Sequence, residues 1–273
     1  MNLTYIIGMV LAILVFVLGI IGFDFNFALL GNFIDPASIF IVIGCTLAVV
    51  IACFPGSMLA SIPKHFAVML NAKKFKPMEI IDQLVELAQT ARKNGLLSLE
   101  EKANEQKDPF FKQAIMLIVD ANDPDKVRAI LENDIECTSA RHEDAAAMYD
   151  KAGAVAPAFG MVGTLVGLIN MLKNMTFEGD GASSLGTDMG TALITTLYGC
   201  ILAHMIFGPI ANNLRTRDTE EVLCKQIIVE GIMSIQSGEN PKALREKLLT
   251  YMAQKQREDG GKKGKGGGGG GEE

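Results

Sequence analysis

The stretch AGAVAPAFGMVGTLVGLINML, residues 152–172, decides the reading, together with MGTALITTLYGCILAHMIFGPIANNL, residues 189–214. Neither contains an Asp, Glu, Lys or Arg. Each is long enough to cross a hydrocarbon core of roughly 30 Å as a helix, which takes about 20 residues. Two further charge-free stretches lie upstream, Leu3–Phe23 and Pro36–Pro63. The four make two hairpins separated by a strongly charged insert, 64–151. They predict an all-α integral membrane protein with four transmembrane helices and a large helical cytoplasmic insert between the second and third.

Orientation follows from the basic residues. Of 25 Lys and Arg, all but Lys173 lie in the insert or from Arg215 onward, while the two short connections, Asp24–Asp35 and Lys173–Asp188, are acidic. The positive-inside rule puts the insert, the C-terminal tail and the N-terminus in the cytoplasm. No Lys or Arg precedes Lys64, so a signal peptide's basic segment is missing and the first span is expected to be retained. The expected organisation is a peripheral, lipid-facing hairpin 1–63, the insert 64–151, an inner hairpin 152–214, cytoplasmic helices 215–259, and a disordered Gly/Lys tail 260–273.

Composition excludes several classes. With 31 acids against 25 bases, nothing suggests a nucleic-acid partner. Cys45, Cys53, Cys137, Cys200 and Cys224 are scattered without a CxxC, which argues for reduced thiols and no metal site. No nucleophile–base pair or phosphate-binding loop points to an enzyme, and no cofactor is implied. Glycines 160 to 167 lie in an apolar span without a Walker lysine. A secondary transporter would need repeats that these dissimilar hairpins do not form.

The insert reads as helix. Ile80, Leu84, Leu87, Ala88 and Ala91 form one stripe on a helix near 77–93, closed by Asn94-Gly95. Ser98-Leu99-Glu100-Glu101 fits a capping box. Asp108-Pro109, Asp123-Pro124 and Asn240-Pro241 each open a further helix, and the one from Pro124 is expected to run directly into the third span.

The inner hairpin carries the chemistry. Gly160, Gly163, Thr164 and Gly167 on the third span, and Ala192, Thr195, Thr196, Gly199, Cys200 and Ala203 on the fourth, recur at three- or four-residue spacing. Such faces either pack two membrane helices closely or also line a shared surface where threonine hydroxyls meet water or an ion. His204 is either a packing residue or a relay. The spans hold no carboxylate, so an ion path here would need one from another subunit.

Taken with the four-span layout, three segments resemble the MotA/PomA family of flagellar motor stator subunits. They are Ala91-Arg92-Lys93-Asn94-Gly95-Leu96-Leu97-Ser98-Leu99-Glu100, Pro157-Ala158-Phe159-Gly160-Met161-Val162-Gly163-Thr164, and Phe207-Gly208-Pro209. The resemblance implies an inner-membrane homo-oligomer, a pentamer, around a MotB-like subunit that supplies the essential Asp. It implies conversion of ion flow into torque on the rotor protein FliG, with the proton favoured and sodium the alternative. By position it implies rotor-facing roles for Arg92 and Glu100, ion-pathway roles for Thr164, Thr195 and Thr196, coupling roles for Pro157 and Pro209, and helix packing at Gly160, Gly163, Gly167 and Gly199. An ExbB/TolQ-like energy-transducing subunit is the alternative; its three spans fit this layout less well.

Overall fold

The computed structural model describes residues 3–22, 26–70, 75–173 and 181–254. The Gly/Lys tail 260–273 lies outside them, as do parts of both short connections. Every regular element among the described residues is helical.

Helix α1 covers Leu3–Ile21. After a short 3₁₀ segment, Phe27–Phe33, α2 runs from Pro36 to Cys53. Asp35 caps it by accepting the Ser38 amide at 2.9 Å, and a wider π turn, Phe40–Gly44, interrupts its middle. The uncharged run continues to Pro63, but the helix does not. Phe54 is extended (φ −125°, ψ 145°) because the residue before a proline is pushed out of the helical region. Two short helices follow, α3 (Gly56–Leu59) and α4 (Ile62–Leu70).

The insert contains α5 (Pro77–Asn94), α6 (Leu99–Glu105) and α7 (Pro109–Val119). Next comes α8, fifty residues without a break from Pro124 to Lys173. Helix α9 spans Gly181–Ile201, a second π turn covers Leu202–Phe207, and α10 continues over Gly208–Gln236. Helix α11 is Pro241–Leu249. Asp108, Asp123 and Asn240 cap as their sequence predicts, accepting the amides of Phe110, Asp125 and Lys242 at 3.0, 3.1 and 3.0 Å.

Ser98 departs from the capping-box expectation. Its backbone is already helical (φ −68°, ψ −11°), and its hydroxyl donates to the Gly95 carbonyl at 2.7 Å, so no capping bond forms. Gly95 itself has φ +84° and ψ 166°, a conformation essentially restricted to glycine.

Among the described residues, three helices are long and apolar enough to cross a membrane: Pro36–Cys53, Pro124–Lys173 and Leu185–Gln236. The apolar stretch Tyr5–Ile21 of α1 is shorter. The chain divides into two compact units, one of residues 1–73 and 142–216, the other of 74–141 and 217–273. In the first, Val50, Met69, Met148, Tyr149, Ile210 and Ala211 form a small core.

The second unit has the larger core, including Leu84, Leu99, Phe111, Ile115, Leu131 and Ile227. On α5, Leu84, Leu87 and Ala88 of the expected stripe are buried, but fully buried Ile81 takes the place of the expected Ile80, which packs at the core's edge. Burying each large aliphatic side chain is worth roughly 1.5–3 kcal/mol, so this core dominates the unit's stability. At its edge, half-buried Glu230 binds both Lys247 and Arg128, the latter at 3.2 Å.

The Lys247 contact comes first in holding the Glu230 carboxyl below the ordinary carboxylate range, and Arg128 adds to it. A carboxyl depressed on folding stabilises above its unfolded value, near 4.5, and loses that contribution as pH falls through the folded value. Glu230→Gln should therefore cost about 1 kcal/mol at neutral pH. In thermal melts of the detergent-solubilised chain, the gap to wild type should close below pH 4.5. A gap that persists in acid would show that the carboxylate's charge is not its source.

Candidate functional site

The second hairpin is built by α8 and α9, and glycine sets how closely they approach. A Cβ on Gly160 would lie 3.0 Å from the Thr195 carbonyl oxygen, and one on Gly167 would lie 2.9 Å from that of Asp188. A Cβ on Gly163 would overlap the Thr195 side chain at 2.5 Å. From the other side, a Cβ on Gly199 would lie 2.8 Å from the Ala156 oxygen and 2.9 Å from the Pro157 Cα. The four glycines thus meet mostly backbone, which cannot move aside without separating the helices.

The three threonines divide. Thr195 is fully buried in this seam, with its hydroxyl donating to the Ala192 carbonyl at 2.9 Å. Thr164 and Thr196 sit at the seam's edge, and their hydroxyls share a hydrogen at 2.6 Å. Thr164 also lies within hydrogen-bond distance of the carbonyl oxygens of Ala192 (2.9 Å) and Gly160 (3.1 Å). Thr196 is exposed beside Leu193 and Cys200 on the same face of α9. Hydroxyl and carbonyl oxygens clustered on an apolar hairpin can exchange hydrogen bonds with a protein carboxyl or replace part of a cation's hydration shell.

Pro157 lies inside α8 without interrupting it. It lacks the amide that would bond the Gly153 carbonyl, and it sits where Gly199 comes closest. Pro209 lies one residue beyond the π turn Leu202–Phe207, after Gly208. A wider turn keeps the preceding carbonyls clear of the proline ring, which gives a local cause for that turn.

Several polar contacts around this hairpin were not foreseen. The Tyr198 hydroxyl donates to the Phe33 carbonyl and accepts from the Asp35 amide at 3.4 Å, tying α9 to the segment before α2. Arg215 binds Glu143 through two nitrogens, at 2.9 and 2.6 Å, and reaches Asp150 at 2.5 Å. The seven-residue spacing of the two acids, which puts them on one face of α8, was the available signal. His65 lies 3.2 Å from both the Ser61 and Tyr149 hydroxyls. Burial, then His142, lowers its proton affinity.

Arg92 and Glu100 belong to the other unit. Arg92 lies in the last turn of α5, Glu100 in the first turn of α6, and both are exposed. The turn between them is pinned by fully buried Leu99, while Leu97 stands 75% exposed. Nearby Lys102 is engaged by Glu86 at 3.6 Å and Glu105 at 3.4 Å; Arg92 and Glu100 make no ion pair among the described residues.

Residues 102–227 match the MotA/TolQ/ExbB proton channel family. Motility protein A of Borreliella burgdorferi is 39% identical over 84% of this chain and 86% of its own length. Chemotaxis protein PomA of Vibrio alginolyticus is 40% identical over 82% of this chain and 86% of its own. Among solved structures, the flagellar MotAB stator complex from Bacillus subtilis superposes with a TM-score of 0.84 at 30% identity, over 93% of this chain and 97% of that one.

The seam makes a direct prediction. Gly199→Ala should force α8 and α9 apart and destabilise the hairpin by about 1–3 kcal/mol, as overpacking does. Gly8→Ala, where a Cβ meets nothing within 4 Å, should be tolerated. Thermal denaturation in detergent compares the two, and equal melting temperatures would remove the seam from the account.

Proposed function

We propose how this chain, which belongs to the MotA/TolQ/ExbB proton channel family as a MotA/PomA-type flagellar stator subunit, divides its work between an ion path and a rotor contact. It is a multi-pass inner-membrane protein that couples ion flow to torque and is not an enzyme. Beyond that, our reading has α1, α2, α8 and α9 as four spans with both termini in the cytoplasm. The hairpin of α1 and α2 faces lipid, a reading supported by exposed Val10, Leu14, Leu47 and Ile51. Copies of the chain, five of them, surround a MotB-like dimer whose aspartate enters the sleeve formed by α8 and α9.

One observation carries this reading: two hydroxyls, Thr164 and Thr196, meet at 2.6 Å on hairpin spans that hold no carboxylate of their own. They face the partner's aspartate, and Thr195 forms the wall behind them. Protons are the favoured coupling ion, with sodium the alternative because hydroxyl oxygens can substitute for its hydration shell. If protons drive the motor, swimming speed at fixed pH should not change with external sodium. Strict sodium dependence would reverse the assignment.

Arg92 and Glu100 meet the rotor protein FliG, with exposed Leu97 between them as an apolar contact. Pro157 and Pro209 carry movement from the ion path toward the cytoplasmic side. Because exposed charges contribute typically under about 1 kcal/mol to stability, Arg92→Glu should spare assembly and ion flow. Rotation of tethered cells should slow severalfold. A matching fall in assembled complex in the membrane would refute the division of labour.

A further inference from the structure

We propose that His204 is a proton relay on the cytoplasmic side of the Thr196 face, receiving protons that pass the partner's carboxylate and handing them to cytoplasmic water. This rests on the channel reading above and adds a residue to it.

The argument starts from two parallel stripes. Along α9 and into the π turn, Thr195, Gly199 and Ala203 are buried, while the residue after each, Thr196, Cys200 and His204, is exposed. Both stripes advance in steps of four. In an uninterrupted α-helix two such steps drift about 80° around the axis, at 3.6 residues per turn. The π turn Leu202–Phe207 holds roughly 4.4 residues per turn and removes about half of that drift. The turn that accommodates Pro209 therefore also keeps His204 in line with Thr196. Eight residues at about 1.5 Å each put the two roughly 12 Å apart along the axis.

The surroundings leave this role to His204. On its own helix the titratable neighbours are Cys200 and Tyr198, whose hydroxyl is committed to Phe33. Helix α8 meets the π turn at Gly153, where a Cβ would lie 3.5 Å from the Phe207 Cβ. Its nearest titratable groups there are Tyr149, Asp150 and Lys151, with Asp150 held by Arg215 at 2.5 Å and Tyr149 directed to His65. Phe207 packs, with Tyr5 of α1, on the small core to which Val50 of α2 and Met69 of α4 belong. The titratable groups of those helices are Cys45 and Cys53 of α2, Tyr5 of α1, and Lys64 and His65 of α4, with His65 engaged by Ser61 and Tyr149. His204 makes no hydrogen bond among the described residues, so both ring nitrogens are available.

The step balances. The protonated carboxyl of the partner gives its proton to a chain of water molecules that spans the roughly 12 Å along the Thr196 face, leaving carboxylate. The last water protonates one imidazole nitrogen to imidazolium, and the second nitrogen releases a proton to cytoplasmic water. A neutral imidazole results, ready after tautomer exchange for the next proton.

The test reconstitutes the whole complex, this chain with its MotB-type partner, into vesicles and follows proton flux with an internal pH dye. His204→Ala should lower flux at least about tenfold, less than the roughly 10²–10⁴-fold of a positioned acid–base group because water can carry part of the flux past the missing ring. Subunit ratio should be unchanged, and imidazole supplied on the cytoplasmic side should restore flux severalfold. His204→Asn keeps a similar shape without a proton site; it should be as slow as His204→Ala, and it carries the test if the alanine variant fails to assemble. Wild-type flux in either variant, or a loss that imidazole leaves untouched in an assembled alanine complex, overturns the relay alone. A wild-type complex that passes no protons overturns the proton-channel reading and the relay with it.

Discussion

The closeness of α8 and α9 is the constraint on which their hairpin depends. Gly160, Gly167 and Gly199 let the two helices approach backbone to backbone, and Gly163 makes room for the Thr195 side chain, so that an added methyl group would be crowded at all four positions. In a bilayer, lipid tails are as apolar as leucine, so exclusion from water does not hold two spans together. Close van der Waals approach does so instead. The same closeness brings Thr164 within hydrogen-bond distance of the Ala192 carbonyl and the Thr196 hydroxyl, so packing and polar geometry are one feature.

Polar groups in such a hairpin have to be satisfied locally, because no water reaches the hydrocarbon core. Thr195 meets this by bonding a carbonyl of its own helix, and Tyr198 by reaching back to Phe33. Thr196 is different, since its hydroxyl is paired yet its face is open. A hydroxyl that is satisfied at rest and still accessible can exchange its partner at little cost. The proposed path for a proton or cation would need this of a wall without charge of its own.

Much of this was legible in sequence wherever the determinant is local. Asp108-Pro109, Asp123-Pro124 and Asn240-Pro241 each hold their capping acceptor and their pre-set φ within two residues, and each opens a helix. The glycine spacing likewise names the close face. Ser98 misleads because its hydroxyl has two local partners on offer, and the 3₁₀ turn starting at Leu96 presents the Gly95 carbonyl first. The end of α2 was hidden by composition: the uncharged run continues beyond Cys53, and only Pro55's effect on Phe54 marks the stop. Contacts such as Tyr198 with Phe33 join residues 165 apart, and no periodicity reports them. The π turns, too, follow from how a helix adapts to its neighbours and to Pro209 rather than from a residue pattern.

The distribution of ion pairs separates scaffold from surface. Half-buried Glu230 is matched by two cations, and Arg215 by two acids, so these networks fix elements within their own units. Arg92 and Glu100 are placed where fixing is unnecessary, because Leu99 and the conformation of Gly95 already hold the turn between them. Charges that contribute little to their own fold cost little to change and lose little solvation until something docks on them. That freedom suits the rotor contact proposed for them: pairing them internally would stabilise the turn only slightly and would take two of its exposed charges out of reach of a docking protein.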